Sequence, residues 1–266
     1  MQTPEEFLKH ANIADALRAL SEQIRAKPAD GKLRVFLAQL LCITGDWQRA
    51  LNQMSVAAEL DPLAIPMKQV YGDAIRCETL RADVFNGKRS PMVFGQPDEW
   101  LALLIESLNR RATAQLALSA KLHAQAFEAA PAIAGTVDGA EFDWFADADM
   151  RLGPVLEAFI NGKYYWVPFS RLLRIKIEAP EDLRDCVWTP SQLQFENGGE
   201  SPALIPTRYQ GSDYNIDPEL LLARKTQWAE QEGGIWQGSG QRIFSSSAGE
   251  HPLMDIREVQ FKPAVV

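Results

Sequence analysis

The residues of this 266-residue chain best equipped to do chemistry are two carboxylates and an arginine in the run DADMR: Asp147, Asp149 and Arg151. Alternating acids on an extended segment share one face, an arrangement in which a pair can bind a divalent ion or divide acid and base roles. A metal-dependent hydrolase built on these three residues is therefore one reading. Against it, the run lacks the glycine at the sixth position and the distal glutamate of a calcium loop, and no further ligand is announced nearby. A salt-bridged loop facing Arg171 or Arg208 is the expectation that needs fewest additions.

The other reactive residue types are dispersed. His10, His123 and His251 show no HxH, HExxH or HxxxH spacing, and Cys42, Cys77 and Cys186 form an odd set without CxxC. Neither a zinc site nor a disulfide framework is expected; the cysteines read as small apolar fillers and His123 as a surface or packing residue of a helix. Gly238 to Arg242 (GSGQR) reads as a glycine turn between strands, because no GK[ST] and no following helix would make it a phosphate loop. Ser245 to Ser247 lacks a nucleophile elbow and reads as a strand end. The expectation is a non-enzymatic protein with no catalytic residue, metal or cofactor.

Charge narrows the partners. With 27 Lys and Arg against 35 Asp and Glu, the net charge of -8 argues against nucleic acid or an anionic membrane surface. Residues 1–131 hold 15 basic and 15 acidic side chains, so the whole excess lies in residues 132–266. No apolar run approaches the ~18 residues of a membrane span. The opening MQTPEEFLKHANIADAL has acids where a secretion signal would be basic and apolar, which predicts a cytoplasmic location. In the acidic half, eight arginines read mostly as ion-paired scaffolding, and Trp144, Trp166, Trp188, Trp228 and Trp236 as core.

Two kinds of element must position these residues. Residues 1–131 repeat with a period of 34: Ile13 with Trp47, Ala16 with Ala50, Leu17 with Leu51, Pro28 with Pro62. In the second copy Leu37, Ala38, Leu41, Ala50, Met54, Ala57 and Pro62 fill the slots of a tetratricopeptide (TPR) unit. Small residues there let antiparallel helices approach, and Gly45 permits the turn in GDWQRAL. Thr3 and Glu6 make a capping box with Pro4 at the first helical position. Tyr71, Gly72 and Ile75 begin a third copy that dissolves into the loop Asn86 to Glu99, and two further helices span roughly Asp98 to Asn109 and Ala112 to Ala130.

From residue 132 the period becomes that of strands. Leu173, Ile175 and Ile177 alternate with Arg174, Lys176 and Glu178. EAFINGKYYWVPF is a hairpin about a type I′ turn at Asn161 and Gly162. Further strands are expected near Ser191 to Phe195, Thr226 to Glu230, Gln241 to Ser245 and Leu253 to Phe261, with short helices at Pro180 to Asp185 and Pro218 to Ala223. The predicted class is α+β: a TPR-like helical domain over 1–131, then a strand-rich, mainly antiparallel domain over 132–266, either an open sheet or one curled into a small barrel.

Several blocks in order carry a family resemblance: QLLCITGDWQRALNQM, RLGPVLEAFINGKYYWVPF, APEDLRDCVW, IPTRYQGSD, LLARKTQW, GQRIF and LMDIREVQF. Together they resemble the ImpE family, also called SciE or TagJ, accessory proteins of the bacterial type VI secretion system. The resemblance implies a cytoplasmic adaptor that engages the N-terminal helical segment of the small sheath subunit TssB and thereby reaches the sheath-recycling ATPase ClpV. It carries no catalytic residue and no residue pattern for the partner site. The repeat supplies one: in a TPR-like superhelix the first helix of each pair lines the concave face, which places Lys32, Val35, Gln39, Gln69, Asp73 and Arg76 there, a mixed lining suited to an amphipathic helix. A docking site on the aromatic C-terminal half is the alternative. A general TPR co-chaperone would need a dense basic clamp, of which Lys32 and Arg76 are a thin version.

Overall fold

The computed structural model describes residues 2–211 and 217–263; Ser212 and Asp213, which end the block IPTRYQGSD, lie outside them. Seven helices come first: α1 (Pro4–Lys9), α2 (Ile13–Ala26), α3 (Gly31–Ile43), α4 (Trp47–Leu60), α5 (Ile65–Phe85), α6 (Glu99–Ala112) and α7 (Leu116–Ala129). The first opens with the expected capping box, Glu6 N–H donating to Thr3 Oγ1 at 3.3 Å and Thr3 N–H to the Glu6 carboxylate at 2.9 Å.

The 34-residue period has a structural origin at the helix starts. Asn12 and Asp46 cap α2 and α4 by accepting the N–H of Asp15 at 3.1 Å and of Arg49 at 3.4 Å. The residues before them, Ala11 and Gly45, both take left-handed backbone, at φ 54° and 72°. Ala16 and Ala50, four residues into each helix, are fully buried. Small side chains at both positions let each helix press against its neighbour.

Two helix boundaries differ from the sequence reading. The helix expected to end at Asn109 continues to Ala112, and the next begins at Leu116. A left-handed residue at Ala114 (φ 59°) makes the break. The loop after α5 also contributes a strand, β1 (Met92–Val93), which pairs in parallel with Tyr165 and Trp166. Phe94 then stacks on Phe195 with ring centres 4.1 Å apart, a contact no local pattern announces.

The remaining strands are β2 (Gly135–Val137), β3 (Ala140–Phe142), β4 (Phe145–Asp147), β5 (Val155–Ile160), β6 (Lys163–Pro168), β7 (Leu172–Ile177), β8 (Trp188–Phe195), β9 (Glu200–Pro206), β10 (Thr226–Gln231), β11 (Ile235–Gly240), β12 (Ile243–Ser246), β13 (Gly249–Pro252) and β14 (Glu258–Phe261), with the short helix α8 (Pro218–Leu221) between β9 and β10. A nine-stranded sheet runs β1-β6-β5-β9-β8-β7-β14-β2-β3, antiparallel except at β1. Its two ends remain apart in the pairing order, so it is an open sheet and not the closed barrel. Strands β13-β12-β4 form a second sheet and β10-β11 a third. Asn161 and Gly162 turn the β5–β6 hairpin at φ 50° and 71°, as the Asn-Gly pair predicts.

Trp144 and Trp236, expected in the core, are exposed instead, and three readings of the strands also change. GSGQR is not a turn: Gly238 to Gly240 belong to β11, and the hairpin turn lies before it, at Gly233 and Gly234. Glycine is required at 238 because a Cβ there would come 2.3 Å from the Tyr209 ring. In β7 the register shifts between Leu172 and Arg174, so Leu172, not Leu173, joins Ile175 and Ile177 in the core. The stretch Leu253 to Phe261 is a strand only from Glu258, after a turn that follows β13.

All six residues of β5 are buried, because both faces of the central sheet are covered. Val155, Phe159, Tyr164 and Trp166 face a core shared with the helices, while Leu156, Ala158, Ile160 and Val167 face a second core with Phe145, Phe244 and Phe261. Trp188 reaches from the sheet into the helical layer, stacking on Trp47 at 6.0 Å and meeting Tyr71 edge-on at 5.6 Å. The shared core is apolar surface that neither half could cover alone.

Candidate functional site

Strand parity puts Glu157 of β5 on the helix-facing side, the lone charge in an apolar strand. It is fully buried and its carboxylate is enclosed by partners. Arg81 of α5 donates Nε–H and Nη2–H to it at 2.8 and 2.9 Å, Arg242 donates at 2.5 Å, and the Tyr164 hydroxyl at 2.5 Å. Arg81 also donates to Glu78 at 3.3 Å, and Glu78 accepts the Trp188 indole N–H at 3.0 Å. Burial alone would raise the Glu157 pKa, but the Arg81 and Arg242 charges and the donated hydrogen bonds bring it down to about 2.

Arg242 links this cluster to the DADMR run. It pairs with Asp147 at the end of β4, and Asp147 also accepts the Asp149 N–H at 2.9 Å. Burial pushes the Asp147 carboxyl up to about 7, with Arg242 only partly offsetting it and Asp149 and Glu157 adding repulsion. Asp149 accepts the backbone N–H of Arg151 at 2.9 Å, its guanidinium at 2.6 Å, and the Gly238 N–H at 3.0 Å. The structure therefore brings Asp147, Asp149 and Arg151 together, with each carboxylate oxygen facing a guanidinium or an N–H. Among the described residues no group of three or more His, Cys, Asp or Glu side chains is placed to hold a metal ion.

A salt-bridged loop is what forms, with partners other than those expected. Arg171 lies at the surface with Glu196 at 2.6 Å and Asp98 at 3.4 Å. Arg208 donates to the carbonyls of Ile43 and Cys42 at the C-terminal end of α3, and to Leu221 O. A cation there meets the negative end of the helix, a stronger local demand than a distant carboxylate. The cluster's two central members, Arg81 and Glu157, escape sequence reasoning because only the fold brings residues 76 positions apart into contact. The one available signal is a charge at an inward-facing position of a strand.

His123 is a packing residue: it is buried against Phe127, and its Nε2–H donates to Met150 O at 2.7 Å. Ser246, in the serine run, shares a hydrogen bond of 2.8 Å with His251 Nε2, and its Oγ also accepts the Ala248 N–H at 3.0 Å. Both contacts fix the turn between β12 and β13. Cys42 and Cys77 are buried thiols whose pKa values burial pushes up to about 12, the opposite of an activated nucleophile.

The six residues assigned to the concave face are placed unequally. Lys32, Gln69 and Arg76 are exposed, Asp73 and Val35 are half-buried, and Gln39 is 8% exposed. The turn Leu183–Cys186 packs against α3, and Gln39 is buried on that helix beside Tyr71. Arg76 pairs with Asp73, one turn earlier on α5. Gln69, Val70 and Asp73 border a groove of about 570 Å³ between α5 and the sheet, with Phe159 and Leu204 in its lining. Just before it, Leu63, Ile65 and Val70 are 87%, 54% and 43% exposed.

A family profile described as "ImpE protein" matches residues 139–260. The chain is 47% identical over 259 residues to the "Type VI secretion system accessory component TagJ" of Pseudomonas aeruginosa, covering 97% of this chain and 91% of that protein. It superposes on the crystal structure of protein VPA1032 from Vibrio parahaemolyticus with a TM-score of 0.89 over 98% of each chain. At 24% identity that last likeness shows the shared fold alone. No helix among the described residues is long and apolar enough to cross a membrane.

Proposed function

The chain belongs to the ImpE family of type VI secretion accessory components, and from that premise we propose that it is a non-enzymatic, cytoplasmic adaptor that binds the N-terminal helical segment of the sheath subunit TssB and so links the sheath to ClpV. The observation that carries this reading is the face of α5. Exposed Ile65 and Val70 stand beside Gln69, the Asp73–Arg76 pair and an apolar-floored groove. An amphipathic helix needs that combination: apolar contact for its stripe and charges for its flanks.

Of the residues first assigned to the partner, Gln69, Asp73 and Arg76 form the centre of this surface. Lys32 and Val35 on α3 and the buried Gln39 are not in the lining of this groove. The carboxylates of the DADMR run serve the fold in this reading, since their oxygens are occupied by arginines and backbone N–H groups. Size-exclusion chromatography of the full chain mixed with TssB, either intact or lacking its N-terminal helix, tests the proposal. Co-elution with intact TssB and none with the truncated subunit is expected. Co-elution with both, or with neither, would refute it.

A further inference from the structure

A second cavity, of about 490 Å³, opens where the end of α5, the end of α6 and the β10–β11 hairpin meet. Two guanidinium groups from distant parts of the chain border it: Arg111 at the end of α6, and Arg151 beyond β4. Arg151 is fixed in place, its Nε and Nη2 held by Asp149, a further Nη2–H donated to Gln210 O at 3.1 Å, and its guanidinium lying 4.7 Å from the centre of the Phe85 ring. Arg111 has one hydrogen-bond partner among the described residues, the Glu232 carbonyl, at 3.0 Å through Nη2. Its remaining N–H groups have no hydrogen-bond partner among the described residues. Burial, and then the neighbouring Arg151 charge, lower the pKa of Arg111.

Arg111 is half-buried, and the Arg151 charge facing it is only partly offset by Asp149 and Glu232. An anion between the two guanidinium groups would relieve that repulsion and take up the open donors of Arg111. The rest of the lining suits an oxyanion with a polar body, because the side chains of Asn86, Gln231 and Gln237 offer amide donors and Phe85 supplies a flat wall. The volume fits a small organic molecule rather than a bare inorganic ion. Asp149 brings negative charge near but is already engaged by Arg151, and Glu232 is exposed at the rim.

We infer that Arg111 and Arg151 form a binding site for a small organic anion, a phosphorylated or carboxylated metabolite, at the junction of the helical and strand-rich halves. The site is separate from the α5 surface assigned to the sheath partner and does not depend on that assignment. A ligand there would touch α6, the β10–β11 hairpin and the turn after β4 at once, and would stabilise their packing by mass action.

Thermal unfolding of the full chain in low-salt buffer, titrated separately with pyrophosphate and with citrate, tests the site. A saturable rise in melting temperature with at least one anion is expected; a response to pyrophosphate alone identifies a phosphorylated ligand and to citrate alone a carboxylated one. Arg111→Gln should weaken the response at least tenfold, Arg111→Lys less so, and Arg110→Gln on the outer face should leave it unchanged. Circular dichroism establishes that each variant is folded. No saturable response to either anion, or an equal response in wild type and Arg111→Gln, would overturn the inference.

Discussion

Arg81 on helix α5 and Glu157 on strand β5 face each other across the helix–sheet boundary, joined by two parallel hydrogen bonds of 2.8 and 2.9 Å with neither side chain more than 4% exposed. A bidentate pair in that position fixes the helical layer in both distance and rotation against the sheet, which a purely apolar contact would do less strictly. Arg242 extends the connection to β4, so one buried cluster spans three layers of structure.

Removing the central charge should therefore be severe. Glu157→Gln leaves Arg81 and Arg242 buried with fewer countercharges, and a loss of ~3 to 5 kcal/mol is expected from urea unfolding. Arg171→Gln, at a partly exposed pair, should cost no more than ~1 kcal/mol. Similar losses in the two variants would mean that the cluster has no special part in stability.

The cluster also sets a pH dependence. Asp147 has a folded pKa of about 7 against an ordinary value of 3.8, so between those values the native state holds a proton that the unfolded chain has released. Its contribution to stability falls as pH rises through that window and is level above it. Glu157, brought down to about 2, behaves oppositely, and its stabilisation is lost as pH falls below its ordinary 4.5. Unfolding of wild type and Asp147→Asn at pH 5 and pH 8 should show wild type gaining on the variant at pH 5. A difference independent of pH would contradict the assignment.

The repeat gives a third test at two equivalent turns. Gly45 takes φ 72° without a side-chain penalty, whereas Ala11 takes φ 54° with one. Gly45→Ala should cost ~1 kcal/mol, and Ala11→Gly should be neutral or slightly stabilising. Ala50→Trp, at a fully buried crossing, should cost ~1 to 3 kcal/mol or more in thermal unfolding. Unchanged melting of Ala50→Trp would remove the packing explanation of the period.

What the sequence made legible follows physical range. Elements governed by neighbouring residues were readable: the Thr3–Glu6 cap, the Asn161–Gly162 hairpin and the 34-residue spacing of the helix starts each depend on contacts a few positions apart. Strand β9 and the pairing of β1 were not, because the stability of each comes from strands distant in the chain. The same limit applied at DADMR. Its acids announced ion pairs, but the choice of Arg242 over Arg171 was made by the order of strands, which brings β12 beside β4. Among the six residues assigned to the partner, Gln69 and Arg76 are exposed, while nothing in the helical period signalled that Gln39 would be buried.

The most direct test of the adaptor account is calorimetric titration of the TssB N-terminal peptide into wild type and into Val70→Asp combined with Arg76→Glu. Both side chains lie on the exposed face of α5, away from the buried cluster, so circular dichroism should show two equally folded proteins. The account expects affinity at least tenfold weaker in the double variant, a loss of ~1.4 kcal/mol or more. Equal affinities for the two proteins would contradict it.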